Sequence, residues 1–537
     1  MKREESYTFC LMTLICDTCY KINQLKYRIR MDVFLIIISC IIAVLLLGIN
    51  IYILALYCHP SDSGFGASLF CKILVVLGFT LAWGQILLVS ADISASKGVF
   101  TTEGESMMIV WYVIYCTILG MVAFLIPCAQ FYYESDEDKP LMKRLLEVMC
   151  YEFILLGVLL TLLLVGFTYL GTARIPVHTI TQTFDSQISA TFPIVLNNYA
   201  FNQIESDTNV EISVSFPVFL MGFLAFIGWF LLVLFGGVGL SALPIDLIQE
   251  YISRPKVMKS SEAMEKKMRL KKQAVELIQF GQQIQEEEKE LALVNGFMAE
   301  RKVKNQIKQK AKKFQAATEA LANEHEIFKM ELEYQNVNPV VWVFKLILGI
   351  IFIILSLLWI LQILLYMLIK INGYPAYSFL NKMFIYLEGT VMSFIGTILL
   401  ALFTLYLLGC TYKGNLKFGL RIPFLFTIYP MKINETFMNS FLFNANLLLI
   451  TSVAVTQFSI QAFSEYTQNS QIALMFLGQI QYLYFFTWFF DYNVFVIALL
   501  SWSGLVLIYL LVRKPPKPYE LQQIEKKKTQ DFELQTK

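Results

Sequence analysis

The stretch FPVFLMGFLAFIGWFLLVLFGGVGL, from Phe216 to Leu240, contains no charged side chain and decides the class of fold. A helix that satisfies its own backbone across a hydrocarbon core about 30 Å thick needs about 20 mostly apolar residues. This run is long enough to span a membrane. Applied outward, the same criterion marks Val33 to Tyr57, Ser68 to Val89, Met107 to Tyr132 and Cys150 to Gly171 before it. After it come Val340 to Ile371, Phe384 to Leu408, Asn439 to Phe463 and Asp491 to Val512. The sequence therefore predicts an all-α polytopic membrane protein of about nine transmembrane helices with one helical hairpin outside the membrane.

Composition excludes the alternatives. Of 537 residues, 57% are hydrophobic and 16% charged, whereas soluble domains carry about 25% charged residues. Lys and Arg total 43 against 41 Asp and Glu, a balance that points away from nucleic acid. Ten cysteines lie scattered, apart from Cys16 and Cys19, and the only histidines are His59, His178 and His325. Neither a disulfide framework nor a zinc site is expected. No phosphate-binding loop, metalloprotease helix, nucleophile elbow or dinucleotide fingerprint is present, so the reading is a non-enzyme without a cofactor.

Basic residues in short loops mark the cytosolic side. Lys139, Lys143 and Arg144 follow the third span; Lys413, Lys417, Arg421 and Lys432 follow the seventh; Arg513, Lys514 and Lys517 follow the ninth. All fall on one face if the first helix starts outside. Residues 1–30, with Lys2, Arg3, Lys21, Lys26, Arg28 and Arg30, oppose that scheme. The expectation is a start at Met31, the alternative being an amphipathic helix that buries Phe9, Leu11, Leu14 and Ile15.

The organisation expected is spans one to five over 31–243, a cytosolic region over 244–338, spans six to nine over 339–512 and a cytosolic tail over 513–537. A polar outer loop covers 172–215, either a simple connector or a ligand-binding cap. The cytosolic region reads as two helical arms joined at Asn295-Gly296. On the second arm Ile307, Phe314, Leu321 and Phe328 recur every seven residues, a stripe for a partner helix. Met264, Met268, Val275 and Ile278 are the expected partners on the first arm. At a rise of about 1.5 Å per residue each arm would extend roughly 55 Å.

Other candidates are intramembrane. Gly236, Gly237 and Gly239 permit close helix approach or a bend, and Pro244 favours a new helix start. Asp246 then lies opposite an apolar face of Leu243, Leu247, Ile248 and Tyr251, which describes a short helix lying in the interface of the lipid bilayer, with Arg254, before Pro255, reaching lipid phosphate. The simpler and favoured reading is a hinge that turns the fifth span into the hairpin. Lys72, Lys345 and Asp491 sit near span ends and can snorkel. Glu388, apparently inside the seventh span, needs a partner, water or a proton. Asn444 and Gln85 are polar in the same sense, serving either helix contacts or a permeation path.

Four stretches resemble the limb-region-like membrane proteins, which include the lipocalin-interacting membrane receptor, in the variant of plants and protists. They are Tyr57-Cys58-His59-Pro60 with Ala91-Asp92-Ile93; Ile126-Pro127 with Phe131-Tyr132-Tyr133-Glu134; the glycine-rich stretch through Arg254-Pro255-Lys256; and Tyr429-Pro430-Met431-Lys432 with Met438-Asn439-Ser440. The resemblance covers about Met31 to Arg513 and implies nine spans, an outside start and a large loop after the fifth. Val89-Ser90 departs from it where the family carries a proline.

Two function classes follow. The first is a receptor-like or accessory scaffold in trafficking or signalling, docking a cytosolic or membrane protein through the hairpin and meeting an outer ligand through the loop. The second is a transporter or channel with a path near Glu388 and Asn444. The sequence favours the first, because transport paths usually show more intramembrane polar groups and broken helices. It does not separate the plasma membrane from an endosomal or lysosomal one.

Overall fold

The structure, a computed structural model, describes residues 37–63, 67–96, 105–136, 139–183, 202–252, 260–291, 297–335, 339–371, 374–390, 394–417, 421–422, 426–427, 431 and 436–513. Met31 and everything before it, Arg254, Pro255, Asn295-Gly296, Tyr429-Pro430, Lys432 and the tail from 514 lie outside these residues.

Among the described residues, nine helices are long and apolar enough to cross a membrane. They are Ile37–Tyr57, Ser68–Ser96, Met107–Glu134, Leu141–Leu170, Phe216–Ile252, Val340–Leu368, Ile395–Lys417, Met438–Ala462 and Val494–Val512. Each overlaps an expected span. The protein is an all-α polytopic membrane protein.

Two compact units divide the chain: Met1–Leu243 with Ile353–Leu510, and Pro244–Phe352 with Leu511–Lys537. In the larger unit the eighth span is the axis. Of its apolar window 78% is buried, against 6% for the fourth span. This explains why the eighth span is among the least apolar. Its Thr451, Ser452, Thr456 and Gln457 meet other helices rather than lipid. Aromatic rings fill the space beside it. Trp229 stacks on Phe495 at 5.3 Å, and Trp359 stacks on Phe458 at 5.5 Å.

The seventh span corrects the expected bounds. Phe379–Thr390 is a separate short helix, and the spanning helix is Ile395–Lys417. The short helix folds back on the longer one, with the Phe384 ring 5.8 Å from Phe403. Glu388 therefore precedes the span instead of lying inside it.

Within the polar stretch 172–215 the described residues form a ribbon of two antiparallel strands, β1 (Thr172–Thr183) and β2 (Asn202–Ser213), in register from Thr172↔Ser213 to Thr183↔Asn202. Alternating β-branched residues in Thr-Ala-Arg-Ile-Pro-Val-His-Thr-Ile favour the pleat. An isolated two-stranded ribbon is marginal in water. Here its base is anchored by a bridge from Ala173 to Leu483 and by Arg174, which pairs with Glu211 at 2.8 Å and lies 5.1 Å over the Tyr484 ring.

The glycine-rich stretch is no hinge within the described residues. The helix runs on from Gly237 through Pro244 and Asp246 to Ile252 after a π turn at Leu232–Gly236. The glycines make room for other backbones. A methyl group at Gly239 would overlap the Cys410 carbonyl, and one at Gly414 would overlap that of Phe235. Pro244 does not break the helix because its missing N–H is replaced. The Leu240 carbonyl, four residues earlier, accepts from Ser356 Oγ at 2.8 Å. Span three repeats the device. Ile126 N–H reaches back five residues to Met121. By the same step Pro127 leaves the Val122 carbonyl free, and Asn446 Nδ2 donates to it at 3.4 Å.

Candidate functional site

On the face marked by the basic loops, parts of three of the four resemblance motifs meet. Asp62, on the turn Pro60–Ser63 after span one, accepts from the Tyr133 hydroxyl at 3.0 and 3.1 Å and from Met438 N at 3.1 Å. Met438 opens the eighth span, so the carboxylate meets free N–H groups and the positive end of the helix dipole. His59 stacks on Phe437 at 4.5 Å, and its N–H donates to the Thr436 carbonyl at 2.9 Å. Asn439 Nδ2 donates to Glu134. Arg144 lies 4.6 Å over the Tyr132 ring and donates to the Tyr132 carbonyl at 3.2 Å and Ser135 Oγ at 2.9 Å. Spans one, three, four and eight are thus tied together at one end.

At the other end of span two, Asp92 does comparable work. Its carboxylate accepts from Trp111 Nε1 at 2.9 Å, Gln471 N at 3.1 Å and Ile472 N at 2.9 Å. The last two are the first amides of the helix Gln471–Gly478, whose cap Ser470 accepts from Ala473 N at 3.3 Å. Asp92 belongs to a resemblance motif but is not among the candidates that the sequence marks. The available signal was a carboxylate directly after an apolar run.

Glu388, half-buried, is hydrogen-bonded to the Tyr466 hydroxyl, which also pairs with Thr397 at 3.0 Å. Burial, reinforced by the Glu388 charge, pushes the Tyr466 phenol up, so it stays a donor. Nearby Ser378 donates to Glu465 at 2.6 Å and Tyr366 pairs with Ser464 at 2.7 Å. The other two intramembrane candidates are elsewhere. Gln85 Nε2 donates to Ser452 Oγ at 2.7 Å, whereas Asn444 Nδ2 donates to the Ser440 carbonyl of its own helix at 2.8 Å and the Asn444 backbone carbonyl accepts from Asn415 Nδ2 at 3.2 Å. Asn444 and Ser452 are about 12 Å apart along one helix. Glu388, Gln85 and Asn444 therefore take part in three separate sets of contacts.

In the smaller unit, helices Ser260–Leu291 and Phe297–Gln335 pack as an antiparallel pair. Ile307 and Phe328 are buried, Phe314 and Leu321 half-buried. Phe314 lies 6.4 Å from the Phe280 ring and fits against Gly281. Ion pairs Arg269–Glu324 at 3.2 Å and Lys310–Glu287 at 2.5 Å hold the register. The first-arm partners differ from those expected. Leu270 and Ile284 are buried, whereas Met264, Met268, Val275 and Ile278 are 63, 62, 47 and 60% exposed. The first arm carries two apolar stripes on opposite sides. The second arm takes the one containing Gly281, because only there is room for the Phe314 ring.

The sequence profile of the LMBR1-like membrane proteins matches residues 35–325 and 268–501. The chain belongs to that family. Similar relatives are named LIMR family proteins. One from Dictyostelium discoideum is 31% identical over 520 residues, covering 91% of this chain and 99% of the relative. One from Oryza sativa subsp. japonica is 29% identical with the same coverages, and one from Arabidopsis thaliana is 31% identical over 89% of this chain and 95% of the relative. No solved structure matches.

None of these relatives' names states a reaction. In this LMBR1-like protein Asp62, Asp92, Gln85 and Gln457 join helices through hydrogen bonds, and among the described residues no group of three or more His, Cys, Asp or Glu is placed to hold a metal.

Proposed function

We propose that this LMBR1-like protein is a non-enzymatic membrane scaffold, receptor-like or accessory to trafficking or signalling, that docks a cytosolic protein on its hairpin. The observation that carries the reading is the second apolar stripe of the first arm, Met264, Met268, Val275 and Ile278, left exposed beside the packed seam. Lys271 falls within that stripe, three residues after Met268 and four before Val275, and Lys267 and Lys272 flank it, all exposed. Methionine-rich stripes adapt to partner shape, and helix-in-groove recognition uses this spacing. The partner that fits is an amphipathic helix with an acidic rim. The pairing of Gln85 with Ser452, and of Trp229 Nε1 with Gln457 at 3.0 Å, supports interhelical adhesion over a permeation path.

The test is proximity labelling from the hairpin of the full-length protein in cells. Met268→Asp with Ile278→Asp should remove a defined set of neighbours, while Lys308→Asp on the second arm leaves it unchanged. An identical set in all three proteins would refute docking through this stripe.

A further inference from the structure

We infer that Glu152 is a proton-binding carboxyl inside the bundle, held as the neutral acid between spans three and four. It lies eleven residues into the helix Leu141–Leu170. That is about 16 Å along a helix about 45 Å long, past the charged first turns with Lys143, Arg144 and Glu147 and two residues beyond Cys150, where the expected span begins. Its neighbours Tyr151, Phe153 and Ile154 are exposed on the outer surface of the span, yet Glu152 is 0% exposed. Neither carboxyl oxygen has a hydrogen-bond partner.

Among the described residues no hydrogen bond or ion pair gives it a countercharge. Span three presents the Cys128 thiol, close enough to interact with its charge. One and two turns earlier on its own helix come Val148 and Arg144, both buried. The Arg144 guanidinium is already engaged by the Tyr132 carbonyl, the Tyr132 ring and Ser135. Span five, which also packs on span four, has no titratable residue between Phe216 and Leu243. A lone carboxylate here would forfeit hydration without replacement, a penalty that protonation avoids. Loss of the proton would therefore force the contact between spans three and four to admit water or to part, so proton binding at Glu152 controls that contact.

The chemistry of a buried neutral acid supplies the test. A carboxylic acid adds across a carbodiimide, its proton going to nitrogen and its oxygen to the central carbon. Migration of the acyl group from oxygen to nitrogen then gives a stable N-acylurea, with nothing lost and no oxidant needed. The full-length protein in native membranes is treated with dicyclohexylcarbodiimide or with a water-soluble carbodiimide, and peptides are mapped by mass spectrometry. The expected result is an adduct on the Glu152 peptide from the hydrophobic reagent alone, declining as the medium is made alkaline and absent from Glu152→Gln. Absence of that adduct from the wild-type protein, or equal labelling by both reagents, would overturn the inference. The wild-type comparison decides even if Glu152→Gln fails to fold.

Discussion

Replacing Asp92 by alanine removes one carboxylate and strands three donors. Trp111 Nε1, Gln471 N and Ile472 N lie 2.9, 3.1 and 2.9 Å from its oxygens, and at 1% exposure the site admits no ready substitute from solvent. Each stranded buried donor costs about 1–3 kcal/mol. The three share one partner and do not add fully, so the expected loss is about 3–5 kcal/mol. Asp92→Asn keeps one acceptor oxygen but turns an amide N–H₂ toward a donor, for a loss of about 1–3 kcal/mol. The assay is the fraction of detergent-purified protein that stays monodisperse after heating, with amide deuterium exchange read across Gln471–Gly478. The order expected is wild type above Asn above Ala, with exchange rising in that helix. In a Trp111→Phe background the penalty of Asp92→Ala should shrink by about 1–2 kcal/mol, because one donor is already gone. An alanine variant that melts with the wild type, or exchange that stays unchanged in Gln471–Gly478, would refute the carboxylate as the tie between span two and that helix.

Phe314→Asp combined with Leu321→Asp should open the hairpin seam at a penalty of about 2–4 kcal/mol. Limited proteolysis would then cut within 260–335 while membrane insertion is retained; unchanged resistance would argue against packing. Gln457→Leu leaves the Trp229 indole N–H unpaired and should lower thermal stability by about 1–3 kcal/mol, most of it recovered when Trp229→Phe is added. The basic-loop scheme expects tags at Asn295 and Lys537 to be reached from the cytosolic face alone. It also expects Asn434, within Asn434-Glu435-Thr436, to carry no glycan; a glycosidase shift abolished by Asn434→Gln would contradict the scheme.

The number and approximate position of the spans were legible in the sequence because a bilayer of fixed thickness converts directly into a length of uncharged chain. The seven-residue repeat on the second arm was legible for a similar reason, since in water an apolar stripe must find a partner. Which stripe of the first arm it would find was not, because the choice between Leu270–Ile284 and Met264–Ile278 turns on the space at Gly281 beside Phe314. Inside the membrane the ambiguity is deeper. A lipid tail and a neighbouring helix are equally apolar, so hydrophobicity does not tell a covered face from an exposed one. Glu152 follows Cys150-Tyr151 on a helix whose outer side meets lipid, and only the arrangement of spans three and four buries it. Glu388 looked intramembrane because the apolar run continues past it, until chain geometry divided that run into two helices. The contacts that hold the bundle, such as Gln85 with Ser452, join residues 367 positions apart. Local pattern determines which segments enter the membrane; which polar group meets which across such a separation is decided by tertiary packing alone.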